Sequence, residues 1–88
     1  YPADEEIALR FLRQMAPAFR RETVPAYNHA VEPWGWSSHT ASYGDCVAAM
    51  RLGANVVEKH LKLSDENPES SWSLFPREFA DMVRACGL

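Results

Sequence analysis

Two short strand-like segments, each followed by a helical pattern, constrain this chain more than anything else in it. Trp34 to His39 (WGWSSH) places large aromatics at alternate positions between turn residues, which predicts a strand. Asn55 to Leu61 (NVVEKHL) is β-branched at its start and apolar at its end, as suits a buried parallel strand. After the first, Tyr43, Cys46, Val47 and Met50 recur at i, i+3, i+4 and i+7, and Gly53 follows Leu52 where a left-handed residue would end a helix. After the second comes a polar loop, Ser64 to Ser71 (SDENPESS). Beyond it Pro76 suits a first helical turn, Phe79, Met82, Val83 and Cys86 repeat the stripe, and Gly87 closes it. An amphipathic helix over residues 4–19 precedes both units. It carries Ile7, Phe11, Leu12, Met15 and Phe19 at helical spacing, Asp4 as N-cap, and Glu5 and Glu6 in the first turn, where the helix dipole favours them. Pro17 is expected to kink or end that helix near Ala16. Residues 20–33, with Pro25 and Pro33 and no period, read as a long connection.

The order is therefore α-β-α-β-α. Single strands alternating with helices imply right-handed crossovers and a parallel sheet. Two parallel strands leave two open edges and need cover on both faces, so the fold class is α/β, as part of a larger structure. With 88 residues and no initiator Met, residues 1–88 read as a single excised piece of one domain. A composition of 47% apolar and 24% charged residues excludes a disordered chain. A net charge of −3 with interspersed signs leaves no footprint for nucleic acid or an anionic membrane. No apolar run is long enough to span a bilayer, and acidic Asp4, Glu5 and Glu6 stand where a signal peptide would be basic, so a soluble, cytoplasmic protein is expected. Cys46 and Cys86 belong to no C-x-x-C pattern and lie on apolar helical stripes, which predicts buried free thiols.

In parallel α/β folds the chemistry sits at the C-terminal ends of strands. His39 closes the first segment and His60 stands one residue from the end of the second, 21 residues apart, about one strand-helix-strand repeat. Level positions on neighbouring strands lie roughly 5 Å apart, and one ion sits about 2.1 Å from each imidazole nitrogen that binds it, so the pair could grip one metal. The period of two puts Glu58 on the face of His60 and Ser37 on the face of His39, with Lys59 pointing the other way. Ser37, His39, Glu58 and His60 should converge. The blander readings are a surface or satisfied histidine at each position and a Glu58 paired with a lysine or arginine. His29, without a companion, is read as nothing more. Trp34 and Trp36 are read as packing against helices rather than as a stacking platform.

The segments GWSSHT (Gly35 to Thr40), Arg51-Leu52-Gly53-Ala54, VVEKHLKL (Val56 to Leu63) and SLFPREFADMV (Ser73 to Val83) together resemble the C-terminal part of the sialic acid synthase barrel. That family carries G-Y-S-D-H-T, A-L-G-A, I-E-K-H-F-T-L and a G-P-D…S-L-E-P-x-E-F-x-x-M-V tail in the same order. Tyr1-Pro2 is similar to the Y-P that follows its sixth strand. The resemblance implies a partial (β/α)8 TIM barrel holding the seventh and eighth strand units. It also implies a synthase that condenses phosphoenolpyruvate with an N-acylated amino sugar, dependent on a divalent metal, Mn2+ or Mg2+. By the same resemblance His39 and His60 are metal ligands, Glu58 is the catalytic carboxylate, and Tyr1, Ser37 and Glu69 contact substrate. The remainder of the barrel, or another chain, would be a partner, and the full-length protein would be a homodimer.

The sequence departs from the family pattern at four places: Trp36 for its Tyr, Ser38 for its Asp, Ser42 for a glycine, and Glu69, in a shorter loop, for the Asp of G-P-D. A different sugar, or a lapsed activity, would account for them. Two other readings therefore stay open, a non-catalytic remnant that keeps the metal pair and a structural module that completes a barrel.

Overall fold

The structure, a computed structural model, describes residues 2–20, with side chains as far as residue 16, and 33–88. Tyr1, His29 and all of the expected connection at 20–33 except its two end residues lie outside the described residues. The elements are α1 (Glu5–Arg20), β1 (Gly35–Ser38), α2 (Gly44–Arg51), β2 (Val56–Leu61), a single 3-10 turn (Ser70–Trp72), β3 (Ser73–Leu74) and α3 (Pro76–Ala85).

The alternating pattern holds, with one strand more than expected. The sheet runs β1-β2-β3, all parallel. β3 is two residues long and is defined by pairing, His60 with Ser73 and Leu61 with Leu74. In β1 and β2 the register sets Trp36 opposite Val57, Ser37 opposite Glu58 and Ser38 opposite Lys59. One step further on, His39 and His60 come level. Gly35 is required where it stands: a Cβ there would lie 2.5 Å from Val56 Cγ1 and 3.0 Å from Val56 O.

Helix ends follow their local chemistry. Asp4 caps α1, its Oδ1 accepting from Ile7 N–H at 3.0 Å, and Gly53 closes α2 at a φ of 105° that only glycine adopts without strain. α1, however, continues through Pro17 to Arg20 instead of stopping near Ala16. The proline falls in the last turns, where its missing N–H removes one helical bond and the helix has only three residues left to form. The buried stripe of α1 is also not the expected one. Ala8, Leu12 and Ala16 are buried, Leu12 against Ala49 and Ala54, while Ile7 (63% exposed) and Phe11 (51% exposed) are not, and the Phe11 ring meets that of Trp36 at 6.1 Å.

All three helices lie on one face of the sheet. Leu12, Ala49 and Ala54 form one cluster, with Trp34, Trp36 and Val57 packed on it. Cys46, Leu74 and Met82 form a second, joined by Val57 and Phe79. Strand residues alternate between covered and open, with Trp36, Ser38, Val57 and Lys59 turned to the helices and Gly35, Ser37, Val56 and Glu58 exposed. Trp34 and Trp36 thus pack against helices, as expected. Both thiols are free; Cys46 is buried but Cys86, in the last turn before Gly87, is only half-buried. No helix among the described residues is long and apolar enough to cross a membrane.

Candidate active site

The open face carries the four residues that spacing brings together. Ser37 Oγ donates to Glu58 Oε1 at 2.8 Å across the β1–β2 pair. One level further, the rings of His39 and His60 meet edge to face, centroids 5.2 Å apart. The pairing follows from the register, since two strands in parallel match every residue at an offset of 21. Two rings that share one ion at about 2.1 Å from a nitrogen of each have centroids no more than ~6.5 Å apart, so the observed separation fits a bridging cation. Among the described residues no group of three or more His, Cys, Asp or Glu side chains could hold a metal. An ion on the pair would need ligands beyond the two imidazoles.

A second set of contacts was not legible in the sequence. The 3-10 turn after β2 brings Glu69 and Trp72 onto the histidines. Glu69 Oε2 lies 2.5 Å from His60 Nδ1. The Trp72 ring stacks on His39 at 6.1 Å and 17° and meets His60 edge-on at 6.3 Å. The Trp72 Nε1 is buried without a hydrogen-bond partner among the described residues, so the ring serves here through its face. The turn is anchored from below: Lys62 Nζ donates to Asp65 Oδ1 at 2.8 Å and to Ser70 O and Oγ at 3.1 Å. Ser73 Oγ donates to Glu69 O at 2.6 Å. Of the residues read as contacting substrate, Ser37 and Glu69 are thus at the site.

The covered face holds a different polar network. Asp45, fully buried, accepts from Trp36 Nε1 and from Thr40 Oγ1, each at 2.8 Å. Lys59 Nζ donates to Ser38 Oγ at 2.9 Å and to Thr40 O at 2.6 Å. Burial pushes the Lys59 ammonium below its ordinary value, against the opposing pull of the Asp45 charge. Cys46, in the same layer, has its thiol pushed up to about 11 by burial and by Asp45, which keeps it protonated and unreactive. This network accounts for two of the four departures. Trp36 and Ser38 are partners of Asp45 and Lys59 beneath the sheet, on the side away from the histidines. Ser42 sits in the turn before α2, lending its carbonyl to Thr40 Oγ1 at 3.2 Å. Only Glu69 touches the site.

The NeuB family model matches residues 1–87. Over 58 residues the chain is 40% identical to the N-acetylneuraminate-9-phosphate synthases of Homo sapiens and Mus musculus, covering 64% of this chain and 16% of each relative. It is 42% identical over 53 residues, 58% of this chain and 16% of the relative, to an uncharacterized protein of Methanocaldococcus jannaschii. The chain thus spans about one-sixth of the length of the curated relatives it matches. No solved structure matches it.

Proposed function

This chain belongs to the NeuB family, and from that premise we propose that it forms the metal and carboxylate end of a sialic acid-type synthase. The reaction would join the enol carbon of phosphoenolpyruvate to the aldehyde carbon of an N-acylated amino sugar, with one water consumed and phosphate released. One observation carries the reading: Ser37, His39, Glu58 and His60 stand together on the open face of a parallel sheet, at the ends of its two longer strands. Two of the curated relatives are named for a 9-phosphate product. Phosphoenolpyruvate contributes three carbons, so the C9 oxygen of such a product is the C6 oxygen of the sugar. The acceptor class for this chain is accordingly N-acetylmannosamine, its 6-phosphate, or a close relative.

His39 and His60 would hold a divalent ion, Mn2+ or Mg2+, which when bound supplies Lewis-acid polarisation of the sugar's aldehyde. Glu58 sits one level below the histidines on the same face. Its Oε1 accepts the Ser37 hydroxyl, which orients the carboxylate and leaves Oε2 to take a proton from the attacking water and pass one to the aldehyde oxygen as the two carbons join. Trp72, lying across both imidazoles, walls the pair off from water on that side. β1 pairs only with β2 among the described residues, and a hollow of about 450 Å³ lined by Ile7, Phe11 and Trp36 runs along its outer edge. The remainder of a barrel, or another chain, would cover that edge.

The reading is tested on the full-length protein by phosphate release from phosphoenolpyruvate with each acceptor, and by Mn2+ titration followed by calorimetry. His39→Ala and His60→Ala are each expected to abolish Mn2+ binding and turnover, while His29→Ala leaves both intact. Equal Mn2+ binding by all three variants would remove the histidine pair from the metal. Binding without turnover on any acceptor would favour a non-catalytic remnant.

A further inference from the structure

We propose that Glu69 is a positioning residue that fixes the tautomer and orientation of His60, so that the ring presents Nε2, with its lone pair, to the open face. The inference rests on the reading of His39 and His60 as ligands and adds to it a residue on a different element. A carboxylate accepts hydrogen bonds and does not donate them. The 2.5 Å contact between Glu69 Oε2 and His60 Nδ1 therefore puts the proton on Nδ1 and leaves Nε2 as the nitrogen free to bind a cation. A carboxylate behind a ligating imidazole raises its basicity and removes the entropy of ring rotation.

Three further features support a built arrangement over a chance surface contact. Glu69 is the residue that opens the 3-10 turn, and Ser73, inside the sheet at β3, holds its backbone carbonyl at 2.6 Å. Ser73 is itself the register partner of His60, so the carboxylate and the imidazole are referred to the same pair of strands. Lys62, two residues beyond His60 on the same segment, bonds the next residue of the turn, Ser70, through both its carbonyl and its hydroxyl. The turn is thus tied to β3 through Ser73 and to Lys62 just beyond β2, and it delivers one carboxylate to one imidazole nitrogen.

The test has a readout that needs neither metal nor turnover. In full-length protein labelled with 15N-histidine, freed of metal and held at pH 8, where an ordinary imidazole is neutral, long-range 1H–15N correlation reads the tautomer of each ring. His60 is expected as the Nδ1–H form in the wild type and in Glu69→Gln, whose amide oxygen accepts the same proton. It should move towards the Nε2–H form in Glu69→Ala. Glu69→Asp, shorter by roughly 1.5 Å, should behave as Glu69→Ala does. Mn2+ affinity should fall in step, by roughly 10–100-fold in Glu69→Ala, with most of it retained in Glu69→Gln. An unchanged His60 tautomer in Glu69→Ala overturns the proposal, as does a tautomer change with Mn2+ affinity unaltered. A wild type that shows the Nδ1–H form of His60 yet binds no Mn2+ overturns the metal reading instead.

Discussion

The two faces of the β1–β2 pair carry similar numbers of polar side chains and do opposite things with them. On the covered face Asp45, Thr40, Lys59 and Ser38 are buried, and each polar group is spent on another: carboxylate on indole and hydroxyl, ammonium on hydroxyl and carbonyl. On the open face Ser37 and Glu58 are exposed and His39 and His60 half-buried, within reach of solvent. Neighbouring residues on one strand thus belong to different economies. A buried polar group must be satisfied within the protein, because burial unpaired costs about 1–3 kcal/mol, whereas a reactive group must stay partly unsatisfied to meet a substrate. Substitutions should separate in the same way, with open-face changes moving chemistry and covered-face changes moving stability.

The largest separation is expected at Glu58. Glu58→Gln keeps the size of the side chain and an oxygen for the Ser37 hydroxyl, and removes the charge and the basicity. Turnover of the full-length enzyme should fall by roughly 10²–10⁴-fold, with the melting temperature and Mn2+ affinity close to wild type. A fully active Gln variant would take Glu58 out of the reaction.

Asp45 should give the mirror image. Asp45→Ala leaves the Trp36 N–H and the Thr40 hydroxyl without their acceptor and the buried Lys59 without its strongest compensating charge. The expected loss is about 2–4 kcal/mol of stability by denaturant titration, with turnover per folded molecule retained. Asp45→Asn, which keeps one acceptor oxygen, should lose less. If turnover per folded molecule collapsed while stability held, the two faces would not be independent.

Much of this division was legible before any coordinates. The period of two assigns Ser37 and Glu58 to one face and Lys59 to the other, and the 21-residue offset alone pairs His39 with His60. What escaped has physical reasons. β3 is too short to show a period and exists only through its pairing with His60 and Leu61. Ile7 and Phe11 obey helical spacing, yet the buried stripe of α1 is Ala8, Leu12 and Ala16, whose two alanines carry little apolar signal. The contact of Glu69 with His60 depends on the path of a loop, which no periodicity encodes. A hint was available in Trp72, an aromatic set just before the Ser73-Leu74 motif with no helical stripe to join. The departures at Trp36 and Ser38 look catalytic when read within a catalytic motif. Their strand parity places them with the helices.

Ser38→Asp restores the residue found in the family's motif and sets a carboxylate beside Lys59 Nζ, now 2.9 Å from the serine hydroxyl. The gain is offset by a second negative charge near Asp45 and by added volume beside Cys46. Stability should change by no more than about 1–2 kcal/mol in either direction. Turnover and acceptor preference should stay at the wild-type level. A marked gain of activity would mean that the covered face tunes the open one.

The smallest effect should come from the anchor of the 3-10 turn, where the open-face side uses an exposed ion pair and the covered face a dry network. Lys62 and Ser70 both donate to Asp65 Oδ1, at 2.8 and 3.0 Å, and these bonds hold the Asp65 carboxyl below its ordinary value. A carboxyl lowered on folding stabilises the fold above its unfolded pKa, and the contribution is lost as pH falls through the folded value. The turn should therefore stay anchored from neutral pH down to the ordinary carboxylate range and loosen only below it. Because Asp65 is fully exposed, the pair is screened over a Debye length of about 8–10 Å at physiological salt. The small stability difference between wild type and Asp65→Asn should accordingly shrink both at acid pH and in high salt. The difference between wild type and Asp45→Ala should survive the salt, since its charges are out of water. Thermal melts of the three proteins at low and high salt decide the matter. Equal salt sensitivity at Asp65 and Asp45 would show that the two faces are equally wet and would dissolve the contrast drawn between them.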